Sequence, residues 1–397
     1  MKVNRIKIKD IGGVKSADLS FNPRMNIICG YNGVGKTTIL ECIAHAFSSG
    51  FSSQILTRNA TSESGEVELV VEHENKKPIT ETYKINHFSP SEKDWIRSNS
   101  INNEKLNLIT LKIERYLDYV EIDSIKKDEK LSDNEKSKRI IFGAKTEGFK
   151  SWFLNRHLYS KHEGSLNDEQ QNNLKLAKSF FSILDDRYSF NRVIAADNEI
   201  MINTPSGEIY FEYLSSGFKS CLAILFTIIK EIELLSLDKK DKAINFDGIV
   251  LIDEPEIHLH PSWQYKIRKI LLSAFPKAQF ICATHSPHIV QSSNQNEVIS
   301  LNSKNGFLYK NDLFSDSEYG FKGWTVEEIL SDVMGMSDLR TELYNSMINE
   351  FYSAIDDRNK SKAIELFNKI NKILHPENMD RKIFKIDLSL LTGGEND

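Results

Sequence analysis

Gly30-Tyr31-Asn32-Gly33-Val34-Gly35-Lys36-Thr37 decides the reading of this chain. It fits the pattern G-x-x-x-x-G-K-[ST], and its surroundings give the match meaning. Before it runs Met25-Asn26-Ile27-Ile28-Cys29, apolar and unbroken, as a buried strand should be. After it, Thr38 to Phe47 carries apolar residues at helical spacing. Strand, glycine loop and helix start together make a cradle for phosphates. The glycines let backbone amides curl around the anion, Lys36 neutralises β and γ oxygens, and the Thr37 hydroxyl is placed to hold Mg²⁺. Asn32, Gly33, Gly35, Lys36, Thr37 and Thr38 form the expected set for binding a nucleoside triphosphate.

Outward from the loop, residues 2 to 28 alternate: Val3, Ile6, Ile8 and Ile11, then Ala17, Leu19 and Phe21, then Ile27 and Ile28. Gly12-Gly13 marks a turn and Pro23 a break, so an antiparallel pair followed by a buried strand is expected. Glu66 to Glu72 and Ile79 to Ile85 also favour strands, giving the core an antiparallel β lobe. Lys126 to Arg139 is nearly all charged or polar and reads as an exposed loop or the end of a surface helix. Its acids Asp128, Glu129, Asp133 and Glu135 dilute its lysines, so a solvated face outweighs a nucleic-acid patch. From Phe149 to Leu184 apolar residues recur at helical spacing, which predicts a helical lobe inserted into the core. Strand signals resume at Ile194, at Ile200-Met201-Ile202, and at Ile209-Tyr210-Phe211 beyond the hairpin-like Thr204-Pro205-Ser206-Gly207.

Two further stretches carry chemistry. Leu214-Ser215-Ser216-Gly217 opens an apolar helix running from Cys221 to about Leu237. Free amides, hydroxyls and the positive end of a helix suit an anion, although the same turn is also an ordinary N-cap. Gly248 to Ile252 then leads into Asp253-Glu254-Pro255-Glu256. Four apolar residues predict a buried parallel strand with carboxylates at its carboxyl end, where α/β sheets bind ligands. Asp253 is placed to hold Mg²⁺ through water, and Glu254 to orient and polarise an attacking water. A further strand, Gln279 to Ala283, ends at Thr284-His285-Ser286, where His285 can reach the γ-phosphate or that water.

Composition sets the limits. The chain has 397 residues, 40% of them hydrophobic, and 51 basic against 56 acidic residues for a formal charge of −5. That balance argues against a chain dominated by nucleic-acid binding, while leaving room for a local DNA contact. The four cysteines, Cys29, Cys42, Cys221 and Cys282, sit apart in apolar segments and read as buried reduced thiols. No apolar run reaches membrane length, and Met1-Lys2-Val3-Asn4-Arg5 leads into strand-like alternation, so a cytoplasmic protein without a membrane segment is expected.

These elements, in this order, resemble the ABC-type ATPases of the SMC, RecF and overcoming-lysogenisation-defect group over residues 1 to about 300. The shared features are Asn32 within the glycine loop, Leu214-Ser215-Ser216-Gly217, Asp253-Glu254-Pro255-Glu256 with His258-Leu259-His260-Pro261, and Thr284-His285-Ser286. The resemblance implies an α/β fold: an ABC-type P-loop ATPase head, a mixed sheet with an antiparallel β lobe, an inserted helical lobe and a helical C-terminal tail. The expected boundaries are 1–120 for the first half of the core, 121–190 for the inserted lobe, 191–305 for the second half, and 306–397 for the helical tail. The resemblance also implies ATP and Mg²⁺ as cofactors and a homodimer or larger assembly that sandwiches the nucleotide. Ser215 and Gly217 would then contact the γ-phosphate in trans, with Ser216 beside them in the nucleotide-binding set, while Lys36, Thr37, Asp253, Glu254 and His285 act in cis, with Glu254 and His285 catalytic. Phe218 stands where the signature usually has a polar residue. The glutamine loop falls either at Gln54 or in the segment Arg115 to Asp118.

The tail carries Gly323-Trp324-Thr325-Val326-Glu327-Glu328-Ile329-Leu330 and reads as helices over 325–334, 339–354 and 360–374, with a capping box from Thr325 to Glu328. It shows no D-x-D on a strand and no H-N-H-like cluster, and His375-Pro376-Glu377-Asn378 reads as a turn. With this tail the chain resembles the ATPase subunits of two-component anti-phage systems, the Septu type above all, whose partner is an HNH nuclease. That implies an ATP-hydrolysing subunit controlling a separate nuclease. A PARIS-type ATPase with a TOPRIM nuclease partner and a RecF-like repair ATPase are the alternatives.

Overall fold

The structure, a computed structural model, describes residues 1–48, 51–53, 55–73, 77–92, 94–96, 101, 107–115, 119, 121–122, 124, 130–235, 242–294, 296–311, 318–336 and 339–392. Ten of the described strands form one mixed sheet. Its order is Ile79–Ile85, Gly65–Glu72, Lys2–Ile11, Val14–Ser20, Phe307–Lys310, Val298–Lys304, Met25–Gly30, Gln279–Ala283, Ile249–Asp253 and Leu108–Leu111. The first four are antiparallel neighbours with alternating burial, one face packed and one wet. From Val298–Lys304 to Leu108–Leu111 every pairing is parallel, and the central strands are buried along their whole length. The two halves join through the hairpin Val298–Lys304/Phe307–Lys310, whose outer strand meets Ser16 at Phe307.

Strand periodicity explains why the central strands are apolar throughout. Ile27, Cys29, Val250, Ile252, Phe280 and Cys282 belong to one core cluster. Their alternates Ile28, Ile249, Leu251, Ile281 and Ala283 belong to another. The second cluster is completed by the phosphate-loop helix Lys36–Ala46 and the β lobe. The first holds the helices Phe149–Tyr159 and Asp168–Leu184 and the long helix Ser216–Leu235. All four cysteines are buried and unpaired, and burial pushes the Cys29 and Cys221 thiols up to about 12.

The inserted segment contains helices Asp133–Phe142, Phe149–Tyr159 and Asp168–Leu184. The stretch expected as loop or helix end is helical from Asp133, started by a capping box between Ser132 and Glu135; residues 125–129 lie outside the described residues. Three strands follow, Ser189–Ile194, Glu199–Thr204 and Gly207–Tyr210, in their own sheet. Phe153 stacks on Phe226 of the long helix at 5.2 Å. Beside it Glu233 accepts hydrogen bonds from Trp152, Arg156 and Asn173 at 2.8, 2.9 and 3.0 Å. An apolar stack and a satisfied carboxylate thus pin the inserted helices to the helix that begins at Ser216.

The chain divides into two compact units, Met1–Gly335 and Met336–Asp397. The tail begins with the strand Phe307–Lys310, which belongs to the sheet of the first unit, and the segment from Thr325 forms a short helix, Val326–Glu328, that widens into a π-turn at Ile329–Val333. The second unit has helices Glu342–Asp356, Lys360–Ile373 and Asp380–Thr392 around Phe351, Ala363, Leu366, Ile370 and Phe384.

Candidate active site

The phosphate loop is set by backbone conformations that side chains do not favour. Gly30 has φ of 146°, and a Cβ there would lie 2.4 Å from the Leu301 carbonyl of the neighbouring strand. Gly35 has φ of 107° and is the N-cap of the helix Lys36–Ala46, with no side chain capping that end. The first-turn amides are therefore left to an anion, which suits a polyphosphate. The Lys36 amine bridges the Gly30 and Tyr31 carbonyls at 3.0 and 3.3 Å. Burial lowers its pKa, and Glu254 is the chief group pulling it back. Asn32, Gly33 and Thr37 are exposed and Thr38 half-buried.

The carboxylates arrive on Ile249–Asp253, two strands away. The Thr37 hydroxyl donates to Asp253 at 3.1 Å. A Thr hydroxyl and a carboxylate at that separation are the donor pair expected around a hard divalent cation. Burial raises the Asp253 pKa and the Thr37 hydrogen bond opposes it. Glu254 adopts φ of 51° and His258 φ of 64°, so the loop after the strand is held in conformations costly for residues with a Cβ. His285, at the end of Gln279–Ala283, sits between the two machineries. Its Nδ1 lies 3.5 Å from Lys36 Nζ and its Nε2 3.3 Å from Glu254 Oε1. One tautomer serves both contacts: Nε2–H donates to Glu254 while Nδ1 accepts from Lys36. Burial, then Lys36, lowers the His285 pKa. Burial lifts the Glu254 carboxyl to about 8, with Glu256 adding to it.

Lys36, Thr37, Asp253, Glu254 and His285 thus converge, while Ser215, Ser216 and Gly217 are placed differently. Ser215 and Ser216 are exposed, and the Ser215 hydroxyl accepts from Phe218 N at 3.3 Å within its own turn. None of the described hydrogen bonds joins this turn to the phosphate loop.

Residues 25–291 match the AAA_21 family, described as "AAA domain, putative AbiEii toxin, Type IV TA system". The chain is 40% identical over 390 residues to the Septu protein PtuA of Bacillus thuringiensis, covering 98% of each. The chain belongs to the Septu PtuA family. The PtuA of Bacillus mycoides is 25% identical over 93% of this chain and 50% of its own length. Among solved structures, the SMC head domain from Thermotoga maritima is 16% identical, covers 79% of this chain and 100% of that one, with a TM-score of 0.43. The chain is an ATPase subunit of a defence system, built on the mixed sheet described above.

This PtuA-family site also draws on Glu256, to which the motif assigns no role, and on Arg115, which stood only within a glutamine-loop candidate. Glu256 grips the His285 loop with both oxygens, accepting from Thr284 Oγ1 at 2.8 Å and His285 N at 2.6 Å. Arg115 is buried beneath the carboxylate loop and donates to the carbonyls of Asp253 at 2.8 Å and Pro255 at 3.3 Å. Burial lowers its pKa to about 10 and Glu256 opposes this. Arg115 is the one described member of the Arg115–Asp118 candidate, and Gln54 lies outside the described residues. Phe218, the departure from the usual signature, is buried between Tyr188 at 4.9 Å and Trp263 at 5.5 Å. An apolar ring suits that slot, where a polar side chain would lose its water.

Glu256→Ala is expected to lower kcat about 10- to 100-fold, because freeing Thr284 and the His285 amide lets the imidazole drift from Glu254. Nucleotide affinity, carried by the glycine loop and Lys36, should stay within about threefold. Steady-state phosphate release beside equilibrium titration with ATP reads both, and an affinity loss as large as the rate loss would show that Glu256 only supports the fold.

Proposed function

We propose that this chain is the ATP-driven switch of a two-component anti-phage system, in which two copies close around ATP and Mg²⁺ and thereby control a separate HNH-type nuclease. The observation that carries this reading is the division of the site. One cluster holds the lysine, cation ligands, base and histidine, while Ser215 and Ser216 face solvent at the head of another helix. An exposed anion-binding turn is matched by a phosphate loop with uncapped amides, and a second copy brings the two together.

In this reading Asn32, Gly33, Gly35 and Thr38 line the triphosphate and Lys36 holds its terminal oxygens. Thr37 and Asp253 hold Mg²⁺, which when bound neutralises charge on the β and γ oxygens. Glu254 orients the attacking water and takes its proton, and His285 steadies Glu254 and the γ oxygens from the other side. Ser215, Ser216 and Gly217 of the second copy complete the γ-phosphate shell. Hydrolysis removes what joins the copies and resets the switch, in the cytoplasm where phage DNA arrives.

The test is reconstitution. The purified chain should hydrolyse ATP slowly and leave plasmid and phage DNA intact, and DNA cutting should appear with the protein encoded by the neighbouring reading frame. Lys36→Ala should change the ATP response of that cutting. Cutting by the chain alone would overturn the reading, and a TOPRIM protein as partner would move it to the PARIS type. Salt-sensitive DNA binding by the chain with ATP and no nuclease partner would favour the RecF-like alternative.

A further inference from the structure

Helix Asp380–Thr392 is apolar on two nearly opposite faces. One packs inward, with Phe384 buried edge-on against Phe351 at 5.4 Å and Leu388 and Leu391 on the same cluster. The other carries Ile383, Ile386 and Leu390, continued by Met379 in the turn just before the helix; Met379, Ile383, Ile386 and Leu390 are 70%, 50%, 58% and 77% exposed. Their spacing of four, three and four residues is that of a helix-pairing seam. Single exposed apolar residues are ordinary; four in register along about 17 Å form a surface for another helix.

We propose that this stripe pairs with the same stripe of a second copy of the chain, the two helices parallel and independent of nucleotide. The flanking charges select this occupant and direction. Lys382 borders the stripe on one side and Asp387 on the other. When two such helices face each other in parallel about a two-fold axis, the lysine flank of one meets the aspartate flank of the other. Run antiparallel, lysine would meet lysine and aspartate would meet aspartate, which is repulsive. Asp387 already accepts from Tyr352 at 3.3 Å, which holds its carboxylate at the border of the stripe. Two short helices bury less than the roughly 1,200 Å² of a standard interface, so the contact is weak alone and adds to any other link between copies.

Sedimentation of nucleotide-free protein over a wide concentration range tests it. The weight-average mass should climb from one chain toward two. Ile386→Glu and Leu390→Glu, both at exposed positions, should each weaken association at least about tenfold, with the thermal transition unchanged. Lys382→Glu should weaken it, and adding Asp387→Lys should restore it. Leu390→Cys should form an inter-chain disulfide under mild oxidation, since the four native cysteines are buried and only a parallel pair brings the two positions together. A constant one-chain mass, or stripe variants that associate like the parent, overturns the proposal, and cross-linking absent at position 390 overturns the parallel arrangement. These readings need no ATP, so they stand or fall apart from nucleotide-driven closure.

Discussion

Glu254→Gln is expected to hydrolyse ATP at least about 10²- to 10³-fold more slowly than the parent while binding it as well or better. A general base in proton transfer contributes on that order, and a neutral amide of the same shape keeps the geometry but cannot take the proton. The variant also removes a half-buried acid next to Glu256, whose repulsion and hydrogen bond help to lift the Glu254 pKa. Trapped ATP-bound assemblies are therefore expected in gel filtration, alongside near-zero phosphate release. Turnover close to that of the parent would remove Glu254 from the chemistry.

The same shift predicts how folded stability depends on pH without nucleotide. The carboxyl titrates near 4.5 when unfolded and near 8 when folded. Between those values the native state holds the extra proton, so this group costs stability as pH rises. Glutamine has no such group. The melting temperature of Glu254→Gln should match the parent near pH 4.5, exceed it increasingly up to about pH 8, and then level off. Partial exposure of the side chain screens the effect and keeps the gain small.

Mixing two inactive variants is expected to restore activity. Lys36→Ala loses the phosphate-loop cation, and Ser215→Arg fills the signature turn with a bulky side chain. In the proposed dimer, each variant paired with itself would have two broken sites. In a mixed dimer one site combines both defects and the other has an intact loop facing an intact turn, so at equal mixing a quarter or so of the parental rate should return. Ser215→Arg alone should bind ATP like the parent, since the turn shares no described hydrogen bond with the loop of its own chain. A mixture as inactive as its components would mean that Ser215 does not act across an interface.

The parts of this site that could be read from the chain are those held by local sequence. The glycine loop, the strand before Asp253 and the strand before His285 each carry their signal within about ten residues, and each sits at its strand end in the sheet. What escaped depends on contacts between distant segments. The edge strand Leu108–Leu111 is four residues long and earns its place only by pairing with Ile249–Ile252. Glu256 lies 28 residues from Thr284, so nothing local announces the grip. Arg115 is one cation among many until the fold lays two carbonyls over it. One signal was present and unused: Asn305-Gly306, with φ of 55° and 86°, is a two-residue hairpin turn. It marks the hairpin joining the two halves of the sheet, in the stretch expected to begin the helical tail.

The Ser220 hydroxyl donates to the Ile257 carbonyl at 3.1 Å, and Trp263 covers the face of Gly217 so closely that a Cβ would lie 3.0 Å from its ring. These contacts weld the start of the signature helix to the segment just after Glu254. In a paired assembly the turn that senses one ATP would then move as a piece with the carboxylates that serve the other. Such a machine keeps time between its two chambers: spending the nucleotide in one retunes its neighbour, and the rate should respond cooperatively to ATP instead of tracing a simple hyperbola.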